Sequence, residues 1–356
     1  MAYGTLSSAD TLRSSQQTIA QYGEDRAFAD VEVDRQANNL ITRDLLSSFV
    51  EITTDRQRRY GAGGGMVMDE VTEFDRADAQ KTPNGSTIGI PLRLFQISVQ
   101  WTRKFMQNTT VDQLQAQFTD ARRAYLMRMQ REIKRAIFTG TNATFIDRLV
   151  DSVSLPLKAF LNADGSQVPV GPNGETFNGS THTHYLYTAS TSVANADVVA
   201  LILTVTEHYA QGKVRLEIAA AQEAAVRALS GFIPITPVQF VQPTSVVATY
   251  GEYDRMNINN RMIGYYGTNY AEVWVKPWVI PGYLFAYVEG APVPLVMRER
   301  DQGSSGLQIA AEDENYPLRA QTLEAEFGAS VWNRTNGAVL YIDTGAAGAY
   351  VSPTIN

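Results

Sequence analysis

Residues 61–74 read GAGGGMVMDEVTEF, residues 88–101 read IGIPLRLFQISVQW, and residues 110–140 read TVDQLQAQFTDARRAYLMRMQREIKRAIFTG. Met66, Met68, Val71 and Phe74 form the first arm of an expected β-ribbon. Asp75 to Thr87, with the turn signal Pro83-Asn84-Gly85, forms its solvent-facing tip, and Ile88, Ile90, Leu92 and Leu94 form the return arm. The apolar phase then shifts to Phe95, Ile97, Val99 and Trp101, which predicts one extra residue near Leu94-Phe95, a β-bulge that bends the ribbon. A two-stranded ribbon is marginal in water, and its open edges invite pairing with another chain. A second copy of the protein is its expected cover.

The ribbon runs into a predicted helix. Thr110-Val111-Asp112-Gln113 fits a capping box, and Gly140 is the expected C-terminal stop. Val111, Leu114, Phe118, Ala121, Tyr125, Met129, Ile133 and Ile137 recur at spacings of three and four, one apolar stripe along a rod of roughly 42 Å at about 1.5 Å per residue. Asp112 and Asp120 lie early, while Arg122, Arg123, Arg128, Arg131, Lys134 and Arg135 crowd the later turns, in the order the helix dipole favours. Two readings follow: a solvated, dipole-matched face, or a wall facing polyanion or an acidic neighbouring subunit.

The chain has 356 residues, 44% of them hydrophobic, which suffices for a real core and predicts two lobes. No window approaches eighteen consecutive apolar residues and Met1 to Asp10 lacks a secretory pattern, so the expectation is a soluble chain made and kept in a cytoplasm. Zero cysteines exclude disulfides, thiolate catalysis and sulfur-ligated metal. A net charge of −7 argues against a dedicated nucleic-acid binder and leaves room for one basic face.

Residues 1 to about 35 are polar with scattered apolar positions, an expected extended arm that orders on an external surface. Leu40, Ile41, Leu45 and Phe49 then predict a short amphipathic helix over 36–50. Turn signals at Asp164-Gly165, Pro172-Asn173-Gly174 and Asn178-Gly179 make 141–193 a looped β insertion. A helix is expected from Asn195 or Asp197 to Gly212, then a strand at Val214, Leu216 and Ile218 and a helix from Gln222 to Leu229, which together open an α/β lobe. Further strands are expected at Ile233 to Val241, Ala271 to Val275 and Tyr283 to Val288. Near the end Leu323, Ala325, Phe327, Ala329 and Val331 face one way and Glu324, Glu326 and Ser330 the other; a turn at Asn333 to Gly337 leads into Val339 to Ile342.

Enzyme chemistry finds little support. His182 and His184 share a face if extended, but no second cluster at ligand spacing accompanies them, so no metal and no cofactor is expected. Asn162, Asp164 and Gly165 lack the ordered oxygens of a calcium loop and read as a hairpin turn. The run Gly61, Gly63, Gly64, Gly65 lacks the Gly-Lys-Ser/Thr ending of a phosphate loop and reads as a hinge. Sequons at Asn108, Asn142, Asn178 and Asn333 carry no meaning without secretion.

The order of parts is informative: polar arm, long hairpin, helix ending in Ile137-Phe138-Thr139-Gly140, α/β lobe with Gly212-Lys213-Val214-Arg215-Leu216, the segment Ile280-Pro281-Gly282-Tyr283-Leu284-Phe285-Ala286, and a terminal strand with Glu326-Phe327-Gly328-Ala329-Ser330-Val331. It resembles the major capsid proteins of tailed bacteriophages, which have the Hong Kong 97 capsid fold. The resemblance implies an α+β architecture divided as follows: 1–56, N-terminal arm and short helix; 57–108, E-loop hairpin; 109–193, spine helix, peripheral domain and insertion; 194–295, axial domain; 296–356, return to peripheral strands and tail. It implies no enzyme activity but a self-assembling icosahedral shell of hexamers and pentamers around double-stranded DNA packaged without sequence specificity. The shell would be built in the host cytoplasm and belong to the virion, with no membrane. The implied partners are a portal, a decoration protein and a scaffolding protein; the scaffold is expected to be a separate protein or absent, because barely sixty residues precede the ribbon. Intersubunit contacts fall on Asp75, Arg76, Lys81, Asn84, Ile88, Ile90 and Leu92 of the ribbon and on Leu6, Leu12, Tyr22 and Phe28 of the arm. Arg122, Arg123, Arg128, Arg131 and Arg135 would face DNA or a neighbour. The alternatives are an encapsulin-type compartment and, more remotely, a glycan hydrolase using Glu324 and Glu326.

Some members of this family cross-link a ribbon lysine to an asparagine beside a glutamate, and Lys81, Asn333, Asn336 and Glu326 are the loose counterparts here. No cross-link is expected: denaturing gels of particles should show one band near the 39.2 kDa chain mass. A ladder abolished by Lys81→Ala would overturn this.

Overall fold

The computed structural model describes residues 17–46 (backbone alone for 40–46), 49–60, 66, 68–80, 85–235, 261–301, 305–343 and 348–355. Leu6, Leu12, Lys81, Asn84, the glycine run, the Pro83-Asn84 turn and most of the strand expected at Ile233 to Val241 lie outside them. Its longest helix is Val111–Phe138, where the expected apolar stripe is the buried face: Leu114, Ala121, Tyr125, Met129, Ile133 and Ile137. Its ends differ from expectation. Thr110 is the N-cap, but its side chain makes no capping bond, so the capping box is not formed. Thr139, in extended conformation, is the C-cap. Gly140 matters for its size, since a Cβ there would lie 3.0 Å from the Tyr350 ring.

The strands are β1 (Val50–Thr53), β2 (Gln57–Tyr60), β3 (Ser86–Gly89), β4 (Arg93–Thr102), β5 (Ala143–Ile146), β6 (Ser154–Leu157), β7 (Tyr185–Thr188) and β8 (Lys213–Ile218). They continue with β9 (Phe232–Pro234), β10 (Arg261–Tyr266), β11 (Ala271–Val275), β12 (Tyr283–Glu289), β13 (Leu295–Glu299), β14 (Gln308–Asn315), β15 (Leu318–Val331) and β16 (Ala338–Ile342). One sheet runs β1-β13-β15-β14 with β4 also on β15; a seven-stranded sheet runs β7-β16-β12-β8-β11-β10-β9.

Among the described residues only the base of the expected ribbon is paired: β2 and β3 are antiparallel from Gln57↔Gly89 to Tyr60↔Ser86, and 66 and 68–80 hold no strand. The return arm leaves the ribbon at Pro91, and β4 pairs instead with β15, from Arg93↔Phe327 to Thr102↔Leu318 without a register shift. No bulge forms at Leu94-Phe95. The apolar phase changes because Ile90, Pro91 and Leu92 make a buried bend between two sheets, with Pro91 unable to donate to either ladder. Gly328 of β15 makes room for it, since a Cβ there would sit 2.5 Å from the Pro91 carbonyl oxygen.

Strand β12 joins two cores. Tyr283, Phe285 and Tyr287 pack with Phe138, Ile137 and the buried face of β15, while the alternate residues Leu284, Ala286 and Val288 pack with Val198, Leu201, Ile202 and Val205 of the helix Asn195–Thr206. Period-two alternation thus buries both faces of one strand. Asp197 at the third position caps that helix, accepting the Ala194 N–H at 2.8 Å. Gly212 does not end it; the glycine lets Val288 approach, at φ +145.

The N-terminal region departs most from the sequence reading. The stretch to residue 35 expected to be extended contains a short helix, Ile19–Tyr22, with a capping box between Thr18 and Gln21, and the first half of a helix of 23 residues, Glu24–Leu46. The helix expected over 36–50 is its second half, with Phe49 in a turn. Glu24 and Asp25 lie in its first turn, where the dipole favours them. Its Ala27 and Phe28 pack with Trp101, Leu114 and Phe118. Elsewhere the Asp147 carboxylate, fully buried, ties the β5-β6 hairpin to Arg298 of β13 at 2.8 Å and to Arg56 at 3.3 Å.

Glu217 of β8 is buried in the seven-stranded sheet, and its Oε2 finds no hydrogen-bond partner among the described residues. Burial pushes its carboxyl up to about 7, against the opposing pull of Lys276 and Arg215. A carboxyl whose folded pKa is raised contributes stability below its unfolded pKa and loses it as pH rises through the folded one. The unassembled chain should therefore lose stability from about pH 5 to pH 8, by at most about 3 kcal/mol for this group. Urea denaturation of Glu217→Gln should show that decline flattened; an unchanged pH profile contradicts the assignment.

Candidate functional site

Large apolar side chains left exposed among the described residues mark the first candidate surface. Between β2 and β3 all described residues from 66 to 80 are exposed, including four large apolar ones: Met66, Met68 (98% exposed), Val71 and Phe74 (93%). Asp75 makes only a local turn, accepting from Thr72 Oγ1 at 2.6 Å, and Arg76 is exposed beside it. Ile88, Ile90 and Leu92 differ: they are buried within the chain itself and present nothing to a neighbour. Burial of Ile88 and Ile90 is what anchors the base of the projection.

Tyr22 and Phe28 also face inward. Phe28 meets Trp101 and Phe118 edge-on at 5.6 and 6.4 Å, under the Arg319 guanidinium. Tyr22 donates to Asp30 at 2.5 Å. These two residues expected to be contacts instead seat the arm helix on the start of the long helix.

The basic rod holds a residue that sequence reasoning passed over. Glu132, 2% exposed, accepts from Arg135 Nη1 at 2.9 Å and Arg128 Nη2 at 3.1 Å, and lies 3.4 Å from Arg93 Nε. Its spacing of four from Arg128 and three from Arg135 was a legible signal. Arg128 also stacks on the Phe95 ring, and Arg122 reaches Asp34 at 3.6 Å. The rod is therefore partly neutralised from within; Arg123 is exposed and Arg131 half-buried. Lys134, Arg131 and Arg128 line a cleft closed by Ile280, Thr354 and Ile355.

Other candidates are committed to the fold. Asn333 donates to Tyr209 Oη at 2.7 Å and Asn336 to Val288 O at 3.0 Å, both from buried positions. Glu326 pairs with Arg300, and Glu324 accepts from Gln96 at 3.0 Å. Asp164 does make the expected turn, with Ser166 N–H on Oδ1 and Gly165 at φ +76. Burial alone would raise its carboxyl, but Ser166, Lys158, the Arg334 charge and Asn142 hold it well below the usual range. Arg334, fully buried and unremarked in the sequence, also binds the Ala159 and Phe160 carbonyl oxygens at 2.7 and 3.3 Å. That arginine organises the start of the 158–184 loop.

The expectation that His182 and His184 lack companions is overturned. His208 and Glu207, which follow the helix Asn195–Thr206, converge on them. Burial keeps these imidazoles neutral: His208 is lowered to about 4 by burial and by His182, and His184 lies well below its ordinary value for the same kind of reason. Burial and the nearby Glu175 push Glu207 up to about 7.

An N-terminal helix, a projecting hairpin, a long helix crossing a long antiparallel ladder, and a separate seven-stranded lobe together define the Hong Kong 97-type capsid fold. A chain from Mycobacterium phage Patience superposes on this one at a TM-score of 0.65, with 19% identity over 91% of this chain and 89% of that one. The capsid of the native GTA particle matches at 0.49, 15% identical over 84% and 89% of the two chains. The holo-SrpI encapsulin complex from Synechococcus elongatus matches at 0.43, 13% identical over 86% and 90%. Neither a protein-family model nor a curated protein sequence matches the chain. The first of these similarities establishes the fold.

Removing the Glu132 charge should leave Arg93, Arg128 and Arg135 mutually repelling. Because the arginines reach solvent, Glu132→Gln should cost about 2 to 3 kcal/mol, less than a fully buried pair. Arg123→Gln should stay within about 0.5 kcal/mol. Denaturant titration of the unassembled chain checks both, and a Glu132→Gln variant as stable as the parent would refute the hub.

Proposed function

We propose that the chain is the major capsid protein of a tailed bacteriophage and works by burial, not catalysis. Copies assemble as hexamers and pentamers into an icosahedral shell that packages double-stranded DNA and becomes part of the virion. The observation that carries the reading is the segment 66–80, whose four large apolar side chains, Met66, Met68, Val71 and Phe74, stay exposed among the described residues. Each such side chain is worth roughly 1.5 to 3 kcal/mol when buried, and the gain recurs at every subunit of a closed ring. Among the described residues no helix is long and apolar enough to cross a membrane. A separate scaffold, a portal and a decoration protein complete the proposed set of partners. Arg123 and Arg131 are the residues of the basic rod best placed to meet DNA or a neighbour, since Arg128 and Arg135 are engaged by Glu132.

Met68→Ser combined with Phe74→Ser tests this without changing chain length. The double variant should be soluble, with the circular dichroism of the parent, and should form no closed shells in negative-stain microscopy. Assembly equal to the parent's would show that the projection is not an intersubunit clamp. Small uniform shells holding a protein cargo would favour the encapsulin reading.

A further inference from the structure

His182, His184, Glu207 and His208 bring four donor atoms to one point from two separate parts of the chain. The Nε2 atoms of the histidines form a triangle with sides of 3.2 Å (His182 to His184), 3.1 Å (His182 to His208) and 3.2 Å (His184 to His208). Glu207 Oε1 stands over that triangle at 3.4, 3.8 and 4.0 Å from His182, His208 and His184. Ligands about 2.0 to 2.1 Å from a tetrahedral zinc ion lie about 3.3 Å apart. The six distances scatter around that edge.

Hydrogen bonding within the cluster cannot account for this convergence. His184 Nδ1 faces the Gly337 carbonyl oxygen at 2.8 Å, and a carbonyl only accepts, so the proton is on Nδ1 and Nε2 offers a bare lone pair. Two further Nε2 atoms crowd the same point. Each neutral imidazole carries one proton, so the three mutual contacts cannot all be hydrogen bonds. Glu207 Oε1 is buried with no hydrogen-bond partner among the described residues. A cation at the centre satisfies all four atoms.

The surroundings are those of a built site. His184 is fully buried. Its N–H donates to Leu161 O at 2.7 Å and its carbonyl accepts from Val339 N at 2.9 Å, which fixes the backbone from both sides. The Phe177 ring lies 4.7 Å from the His182 ring and 4.6 Å from that of His208. The His184 contact to Gly337 is the outer-sphere carbonyl contact that orients metal-bound histidines.

We propose that these four residues form a structural site for a divalent transition metal, with zinc the ion that its donor set and geometry fit best. Imidazole nitrogens with one carboxylate select such an ion over magnesium or calcium, and four protein ligands leave no open position for catalysis. The metal staples the 158–184 loop to the end of the helix Asn195–Thr206. In a chain with no cysteine it takes the place a disulfide would hold. The site stands independently of the capsid reading.

The test uses the full chain. Purified from zinc-supplemented medium, it should carry one zinc per chain by elemental analysis. After chelation, added Co²⁺ should give the intense visible absorption of four-coordinate cobalt, and zinc, but not magnesium, should restore the melting temperature lost on chelation. His182→Ala with His208→Ala should abolish bound zinc and the cobalt band. A parent chain that holds only traces of zinc and gives no tetrahedral cobalt spectrum would overturn the proposal and leave a cluster of neutral imidazoles.

Discussion

The unbroken antiparallel ladder between Arg93–Thr102 and Leu318–Val331 is the constraint on which the other parts depend. It joins residues more than two hundred positions apart, so its loop-closure cost is met only when both ends are in place. The projection enters it through Pro91, the long helix leaves it through Thr102 and packs on its apolar face, and β15 continues through Arg334 into the seven-stranded lobe. A slip of one residue would turn Leu323, Ala325 and Phe327 out of the core and Glu324 and Glu326 into it. Position and orientation of the projecting segment are therefore set by a ladder buried in its own subunit.

Much of this was legible because it is periodic. The 3.6-residue stripe from Leu114 to Ile137 and the alternation from Leu323 to Val331 appear as buried faces where expected. Strand β11 has the expected bounds, and β12 exceeds its expected span by Glu289. The failures have a common cause: local pattern does not say which partner a strand finds. Ile88 to Trp101 reads as one ribbon arm with a bulge, but Pro91 divides it between two sheets. The first half of the arm helix, up to Arg35, was missed because Phe28, Val31 and Val33 are its only large apolar residues, whereas Leu40, Ile41 and Leu45 marked its second half; contact of Ala27 and Phe28 with Trp101 and Phe118 supplies what periodicity lacks.

The polar hubs were the least legible. Glu132 could have been read from its spacing to Arg128 and Arg135, whereas Arg334, Asp147 and the His182, His184, Glu207, His208 cluster depend on long-range folding. His208 follows an apolar helix by two residues and has no spacing relation to His182. Each of these groups ties a loop-rich segment to a sheet: Asp147 the β5-β6 hairpin, Arg334 the residues from Ala159 onward, and the histidines the end of that loop. A chain without disulfides thus secures its irregular parts with buried charge and imidazole, while its sheets rely on apolar burial.

The central claim is that the segment 66–80 gains its cover only from another copy of the chain. Hydrogen exchange of backbone amides, compared between unassembled chain and closed shells, tests this directly. Exchange across 66–80 should be fast in the free chain and strongly slowed in the shell, while the amides of β4 and β15 should be protected in both. Equal, fast exchange at 66–80 in both states, or a chain that stays monomeric under all assembly conditions, would contradict the account.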